Sequence, residues 1–180
     1  MRLAGLDFET ANGCAGSICA AGCGILHDGE PAEKREWLVR PHPDMDWIAP
    51  FCFRVHGISS YDLRDADEFP TIWPELRDML LSADYVVIHN APFDLGHLRA
   101  ALTLYGLPPV RFSYVCSLAA SRRALPELAS HSLNCVAAYY GIEFRHHNAL
   151  EDAMTCAKVL HEIGLTSRIA RKEFVFEPTE

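Results

Sequence analysis

The run Leu3-Ala4-Gly5-Leu6 is apolar without a break, and within three further residues it gives way to two acids, Asp7 and Glu9. Such a run suits a strand buried on both faces, at the centre of a sheet rather than at a wet edge. Two residues apart on a strand or its immediate end, both carboxylates project from the same side of that sheet, where they could share a metal. A single Asp-x-Glu is a weak pattern, and on an edge strand it would be a solvated face. At the end of a central strand it points to a site.

The rest of the chain supplies the sheet and its cover. Arg2 to Phe8 is read as the first strand and Ser17 to Leu26 as the second. The turn signal His27-Asp28-Gly29-Glu30 leads to a third strand near Lys34 to Val39, completing an antiparallel meander. Proline and aspartate mark Arg40 to Pro50 as a loop. Ile72 to Leu81 is predicted helical with Pro74 in its first turn, and Tyr85 to His89 is a buried strand. Phe93 to Tyr105 carries a helical apolar face closed by Gly106, Phe112 to Cys116 is a short strand, and Leu118–Leu125, Leu133–Tyr140 and Ala149–Ile163 are helices. A meander followed by strand–helix alternation predicts an α/β fold: a ribonuclease H-like mixed five-stranded sheet flanked by helices. One domain is expected over residues 1–180, with a core over about 3–162 and a short tail over 163–180.

Composition narrows the function. The 16 Lys and Arg against 24 Asp and Glu leave a net charge of −8, which argues against a protein that tracks long duplex by neutralising many phosphates. An acidic enzyme acting on a strand end fits, because bound divalent cations place positive charge where a phosphate must sit. The seven cysteines are odd in number and lack a CxxC pair, so they are read as small buried residues, with no disulfide and no structural zinc expected. No stretch of eighteen apolar residues and no leader-like start is present, so a cytoplasmic protein with no membrane contact is expected.

Three more positions complete the candidate site. Asp94 lies in the first turn of its helix, directly after the apolar strand Tyr85–Ile88, where open α/β sheets place their sites. Asn90 just before it is positioned to cap that helix. His147 and Asp152 are five residues apart and would diverge by roughly 140° on one continuous helix, so the helix must begin between them. Asn148 as N-cap and Glu151 at N3 make a variant capping box, which puts His147 and Asp152 at the two positions joined in a hydrophobic staple. A polar pair there is an exception that reads as functional. His146 competes with the same spacing to Glu151. His147 is preferred, because Asp152 is left free for metal while Glu151 caps.

With these residues in view, LDFET, HNAPFD and HNALEDA resemble the three motifs of the DnaQ-like, or DEDDh, 3′→5′ exonucleases, and the likeness runs from about Leu3 to Leu160. VHGI at Val55 to Ile58 is similar to a segment of the branch that includes the epsilon subunit of DNA polymerase III. The resemblance implies hydrolysis with two Mg²⁺ or Mn²⁺ ions, releasing 5′-monophosphates from a 3′ end. It implies that Asp7 bridges both metals, that Glu9 and Asp152 complete one site, that Asp94 supports the second, and that His147 is the general base. It places Thr10 on the terminal sugar and His56 and Phe93 near the terminal base, although Phe93 reads almost as well as a first-turn aromatic packed on the sheet; for Asn90 a structural hydrogen bond is expected ahead of a substrate contact.

Some features depart from the family. Gly96-His97-Leu98 follows Asp94 where many members carry bulkier apolar residues. The short tail after Gly164 and the absence of any glutamine argue against a permanently bound polymerase partner and for a freestanding enzyme. The expected substrate is the 3′ end of single-stranded or frayed DNA. RNA 3′ ends are the alternative, because the sequence does not show how closely the site approaches a 2′-hydroxyl. Arg122 and Arg123, and Arg168, Arg171 and Lys172, are candidate strand contacts, but ordinary solvated charge is the better reading of both groups. A non-catalytic nucleic-acid or partner-binding module is the reading of another class, and dimerisation stays open.

Overall fold

The computed structural model describes residues 1–178. Its strands are β1 (Arg2–Thr10), β2 (Ile18–His27), β3 (Glu30–Arg40), β4 (Asp67–Glu68), β5 (Tyr85–Ile88), β6 (Val110–Cys116) and β7 (Lys172–Phe176). They form one sheet in the order β4-β3-β2-β1-β5-β6-β7. β1, β2 and β3 are the antiparallel meander, β5 and β6 run parallel to β1, and β7 returns antiparallel on β6. β1 is thus central, as its apolar run predicts.

Alternation along β1 separates two cores. Ala4, Leu6 and Phe8 point to one face, where α3 (Phe69–Leu81) and α4 (Ala91–Leu104) supply Leu76, Leu80, Leu98 and Leu102. Leu3 points to the other, with Val136 of α6 (Leu133–Tyr139) and Cys156, Val159 and Leu160 of α7 (Ala149–Ile163). Gly5, Asp7 and Glu9 share the parity of Leu3, so they face α7. Two glycines let that helix settle directly on the sheet. A methyl group on Gly5 would lie 1.8 Å from the Ala153 carbonyl oxygen, and one on Gly22 would lie 2.1 Å from that of Ala149. In the strand register Gly22 sits opposite Asp7, so the start of α7 is seated beside the acid pair. The glycines of the Gly22-Cys23-Gly24 segment therefore serve helix–sheet packing.

The sheet has seven strands rather than the expected five. The segment read as a tail contains β7, whose Phe174 and Phe176 are buried, with Phe174 stacked on Phe112 of β6. β4 adds two residues parallel to β3. Two short helices also went unread, α1 (Pro50–His56) and α2 (Ser60–Leu63), together with a 3₁₀ turn at Pro43–Met45. α1 has Pro at its start and a left-handed Gly57 (φ 75°) at its end, but it buries no side chain, so no apolar periodicity announces it. α2 is closed by a capping box between Ser59 and Asp62. α3 begins at Phe69, three residues earlier than expected, so Pro70 occupies the first turn and Pro74 lies inside the helix. The remaining helix, α5 (Ser117–Ala124), and α6 and α7 match their predicted spans to within a residue or so.

Candidate active site

The end of β1 and the first turn of α7 bring three carboxylates together. Ligand oxygens of Asp7, Glu9 and Asp152 all lie within 4.8 Å of one another. Asp94 arrives from α4 on the opposite face of the sheet and accepts a 3.0 Å hydrogen bond from the Phe8 backbone N–H, between the two acids of β1. Glu9, Asp94 and Asp152 are buried. Four acids from three elements thus meet at the C-terminal end of the central strand.

Their ionisation reflects that crowding. Burial, reinforced by Asp94, Asp152 and Glu9, holds the Asp7 carboxyl well above the usual range. Burial and then the Asp152 charge push Glu9 up to about 7. Asp94 is pushed up to about 8 by burial, against the opposing hydrogen bond from Phe8. Asp152 is raised by burial and held down by the hydrogen bonds it accepts from His146 and His147. A cluster of hard oxygen donors that repel one another is what a Mg²⁺- or Mn²⁺-type cation relieves, so the donor set fits such ions.

The start of α7 is more elaborate than the spacing argument. Asn148 is the N-cap and accepts from Glu151 N–H at 3.0 Å. Glu151, however, turns to the Arg145 N–H, so only one arm of the capping box forms. The Asn148 amide instead donates to Glu36 on β3 at 2.7 Å. His147 and Asp152 do meet, but through the His147 backbone N–H, 2.9 Å from Oδ2. The imidazole on Asp152 belongs to His146, whose Nδ1 lies 2.9 Å from Oδ1. The left-handed backbone at His147 (φ 63°) aims its N–H at the carboxylate, while a ring nitrogen of His147 stays within 4.8 Å of Asp152 without bonding it. Its ring stacks on that of His146 at 3.9 Å and makes no hydrogen bond among the described residues. Burial and the neighbouring His146 lower the His147 pKa, which favours the neutral ring.

Asp7, Glu9, Asp152 and His146 floor a cleft of about 870 Å³ that Thr10, His56, Asn90, Phe93 and His147 also line. His56 is held by two bonds: Nδ1 accepts from Ile58 N–H at 3.0 Å, leaving Nε2–H to donate to the Thr10 carbonyl at 3.2 Å. Burial lowers its pKa, consistent with a neutral ring that fixes the backbone beside Glu9. Phe93 is 46% exposed and leans on His97, so its face is open to the cleft instead of packed on the sheet. Asn90 stands at the N-cap position of α4 in a left-handed conformation (φ 61°, ψ 47°) and makes no capping bond, contrary to the structural hydrogen bond expected of it. Among the described residues, two of the three left-handed non-glycine positions, Asn90 and His147, border this cleft, where strained backbone commonly gathers. The departure at Gly96-His97-Leu98 is accommodated: Gly96 is exposed, Leu98 is fully buried, and His97 Nδ1 accepts from Gly16 N–H at 3.2 Å.

Sequence reasoning missed Phe51 and His89. Phe51, on α1, is 67% exposed at the cleft and no pattern in the sequence marks it. His89 heads the HNAPFD stretch, which was a signal. Its Nδ1 lies 3.0 Å from Ser117 Oγ and its Nε2 3.1 Å from the His131 carbonyl, tying the 125–132 segment into the cleft wall. Burial lowers its pKa to about 4. Arg122 also reaches the cleft. Among the described residues, no helix is long and apolar enough to cross a membrane.

This constellation agrees with known proteins. The RNase T exonuclease family matches residues 5–160. The PolC-type DNA polymerase III of Staphylococcus epidermidis is 29% identical over 152 residues, 80% of this chain but 10% of that protein. The chain thus spans about a tenth of the length of the curated relatives it matches. Among solved structures, exonuclease X in complex with 5′ overhanging duplex DNA is 25% identical, with a TM-score of 0.69 over 90% of this chain and 89% of that one. The nuclease domain of 3′hExo, a DEDDh family member bound to rAMP, shares the fold at a TM-score of 0.75 and 18% identity, with 90% of each chain covered. The motifs, the sheet order and the carboxylate cluster at the end of β1 converge with the family match over residues 5–160, and this chain belongs to the DnaQ-like (DEDDh) exonuclease family.

Proposed function

We propose that the protein hydrolyses nucleotides one at a time, as 5′-monophosphates, from the 3′ end of single-stranded or frayed DNA, using two Mg²⁺ or Mn²⁺ ions. The observation that carries this reading is the meeting of Asp7, Glu9 and Asp152 within 4.8 Å on the floor of an open cleft, with Asp94 buried behind them on the Phe8 N–H. Asp7, Glu9 and Asp152 would hold one cation, and Asp7 with Asp94 the second. When bound, the ions offset the clustered negative charge, acidify a water and stabilise charge building on the phosphoryl oxygens.

The chain's own groups do the rest. Asp152 is oriented by two hydrogen bonds, so its carboxylate is held rather than searching. His147 collects the proton from the attacking water: its ring lines the cleft and is unclaimed by protein hydrogen bonds, whereas the His146 ring is engaged by Asp152. A neutral imidazole near neutral pH is suited to that transfer. Phe93 and His56 present flat faces to a terminal base, which favours stacking without regard to base identity. Thr10, which lines the cleft, would contact the terminal sugar. DNA is preferred because the relatives matched in sequence include PolC-type DNA polymerase III, and the structure neighbours include exonuclease X in complex with 5′ overhanging duplex DNA.

The test is incubation with 5′-labelled single-stranded DNA and RNA of one sequence in Mg²⁺, Mn²⁺ or EDTA. A ladder shortening from the 3′ end, lost in EDTA and in Asp152→Ala, is expected, faster on DNA. Faster trimming of RNA would reassign the substrate to RNA ends. No shortening of either strand with either metal would refute catalysis and leave a binding module.

A further inference from the structure

The chain carries a net charge of −8, yet Arg122, Arg123 and Arg168 stand without acidic partners, the first of them at the cleft. Arg122 and Arg123 follow one another in the last turn of α5. Being about 100° apart on the helix, they diverge, and Arg122 opens on the cleft while Arg123 lines a separate groove of about 300 Å³. Across that groove stands Arg168, with Thr166 and Ser167 beside it, and no acidic residue lines it. Seven other arginines (Arg2, Arg35, Arg40, Arg64, Arg77, Arg111 and Arg145) are each ion-paired, while Arg54 on α1 has no such partner among the described residues. Among the described residues, the guanidinium groups of Arg122, Arg123 and Arg168 have neither a carboxylate within 4.0 Å nor a hydrogen bond.

Cations at the end of α5 are favoured in any case by the helix dipole, which accounts for Arg122 and Arg123 but not for Arg168 on another segment. Nor is Arg168 on a loose loop. The Arg171 guanidinium donates to the carbonyl of Leu165 at 3.2 Å and of Thr166 and Ile169 at 3.5 Å, and lies over the Tyr85 ring, while Ile169 is buried. Another arginine is spent on fixing the segment that presents Arg168.

We infer that the groove between the end of α5 and the 165–169 segment is a second phosphate-binding site, which takes the backbone of the strand whose 3′ end lies in the cleft. The inference rests on the exonuclease reading for the identity of that strand. Arg122, the sequence neighbour of Arg123, opens on the cleft, so the end of α5 borders both sites, and the guanidiniums of Arg123 and Arg168 with neighbouring hydroxyls suit phosphate oxygens and read no base. The site holds the strand between turnovers and matters only for strands long enough to reach it.

The test compares the wild-type chain, Arg123→Ala/Arg168→Ala, and Arg64→Ala as a control for loss of a paired surface charge. The probes are oligothymidylates of about 20 and about 4 nucleotides with hydrolysis-resistant phosphorothioate 3′ linkages, read by fluorescence anisotropy in Mg²⁺. Losing two contacts to a single strand flattens the plot of log affinity against log salt by about 1.4, which is about a 25-fold loss at 0.1 M salt. That loss is expected for the long strand, with the short strand bound as by wild type and the kcat for trimming an ordinary short strand unchanged. Wild-type affinity and salt slope on the long strand would overturn the proposal. So would an equal loss on both lengths, which would place the arginines' effect at the cleft. If no strand is trimmed under any condition, the exonuclease reading fails, while the anisotropy still decides the groove.

Discussion

Gly22→Ala tests how the site is assembled, because it changes nothing that touches substrate. The new methyl would lie 2.1 Å from Ala149 O, 2.2 Å from Ala149 C and 2.4 Å from Leu150 N, all backbone atoms of the first turn of α7. Non-bonded heavy atoms settle about 3.5 Å apart, so the turn must retreat by on the order of 1 Å. Overpacking of this kind destabilises by about 1–3 kcal/mol, and the reduced entropy of the unfolded chain returns about 0.4–1 kcal/mol. A net loss of about 1–2 kcal/mol lowers the Tm of a domain this size by about 2–8 °C, leaving it folded at room temperature. Activity should suffer more, because Asp152 rides on that turn and a displacement of about 1 Å at a reacting centre can cost about 100-fold. Circular-dichroism melting and the DNA-trimming rate would be measured beside Gly96→Ala. That residue lies on the exposed face of α4 with open space where a methyl would go, and its substitution should stabilise slightly. A Gly22→Ala protein with wild-type Tm and wild-type kcat would falsify the idea that helix–sheet contact sets the carboxylate geometry.

His147→Ala should lower kcat by about 10²–10⁴ with little change in KM, and His146→Ala by less; an equal or larger loss in His146→Ala would move the base to that ring. Phe51→Ala removes an open aromatic face from the cleft and should raise KM for single-stranded DNA by the equivalent of about 1–3 kcal/mol, with the Tm unchanged. Glu9 at about 7 and Asp94 at about 8 lie above their unfolded values, so the metal-free fold is favoured at low pH and loses stability as pH rises from about 4 towards 8. Mg²⁺ should reverse that loss and release protons near pH 7, seen by calorimetry in buffers of different ionisation enthalpy; binding without proton release would contradict the raised carboxyls. His89 has the opposite sign. Its folded value of about 4 lies below the unfolded one, so its contribution is whole above pH 6.5 and shrinks as pH falls towards 4, by up to about 3 kcal/mol. The difference in urea midpoint between wild type and His89→Gln should narrow over that interval, and a constant difference would refute the assignment.

Much of the architecture was legible because it depends on local period and punctuation. The apolar run before Asp7, the turn at Asp28-Gly29 and the helix from Ala149 to Ile163 all emerged where they were read. β4 has only two residues, and α1 buries no side chain, so neither leaves a periodic trace. β7 has buried aromatics but sits beyond the last helix, and only its pairing with β6 makes it a strand. Phe51 was invisible for a related reason: an exposed aromatic is unremarkable until a cleft is seen to face it.

By itself the sequence determined which chemistry the chain carries: four acids and a histidine in three stretches, each tied to a strand end or a helix start by local rules. Tertiary structure alone decided which atoms meet. Whether the imidazole of His146 or His147 engages Asp152 follows from one left-handed residue, whose conformation depends on everything packed around the start of α7. That Asp152 reaches Asp7 and Glu9 at all follows from Gly5 and Gly22, distant in sequence from α7, which leave room for its backbone on the sheet. Such contacts link residues more than a hundred positions apart, and no periodicity within a strand or a helix can encode them.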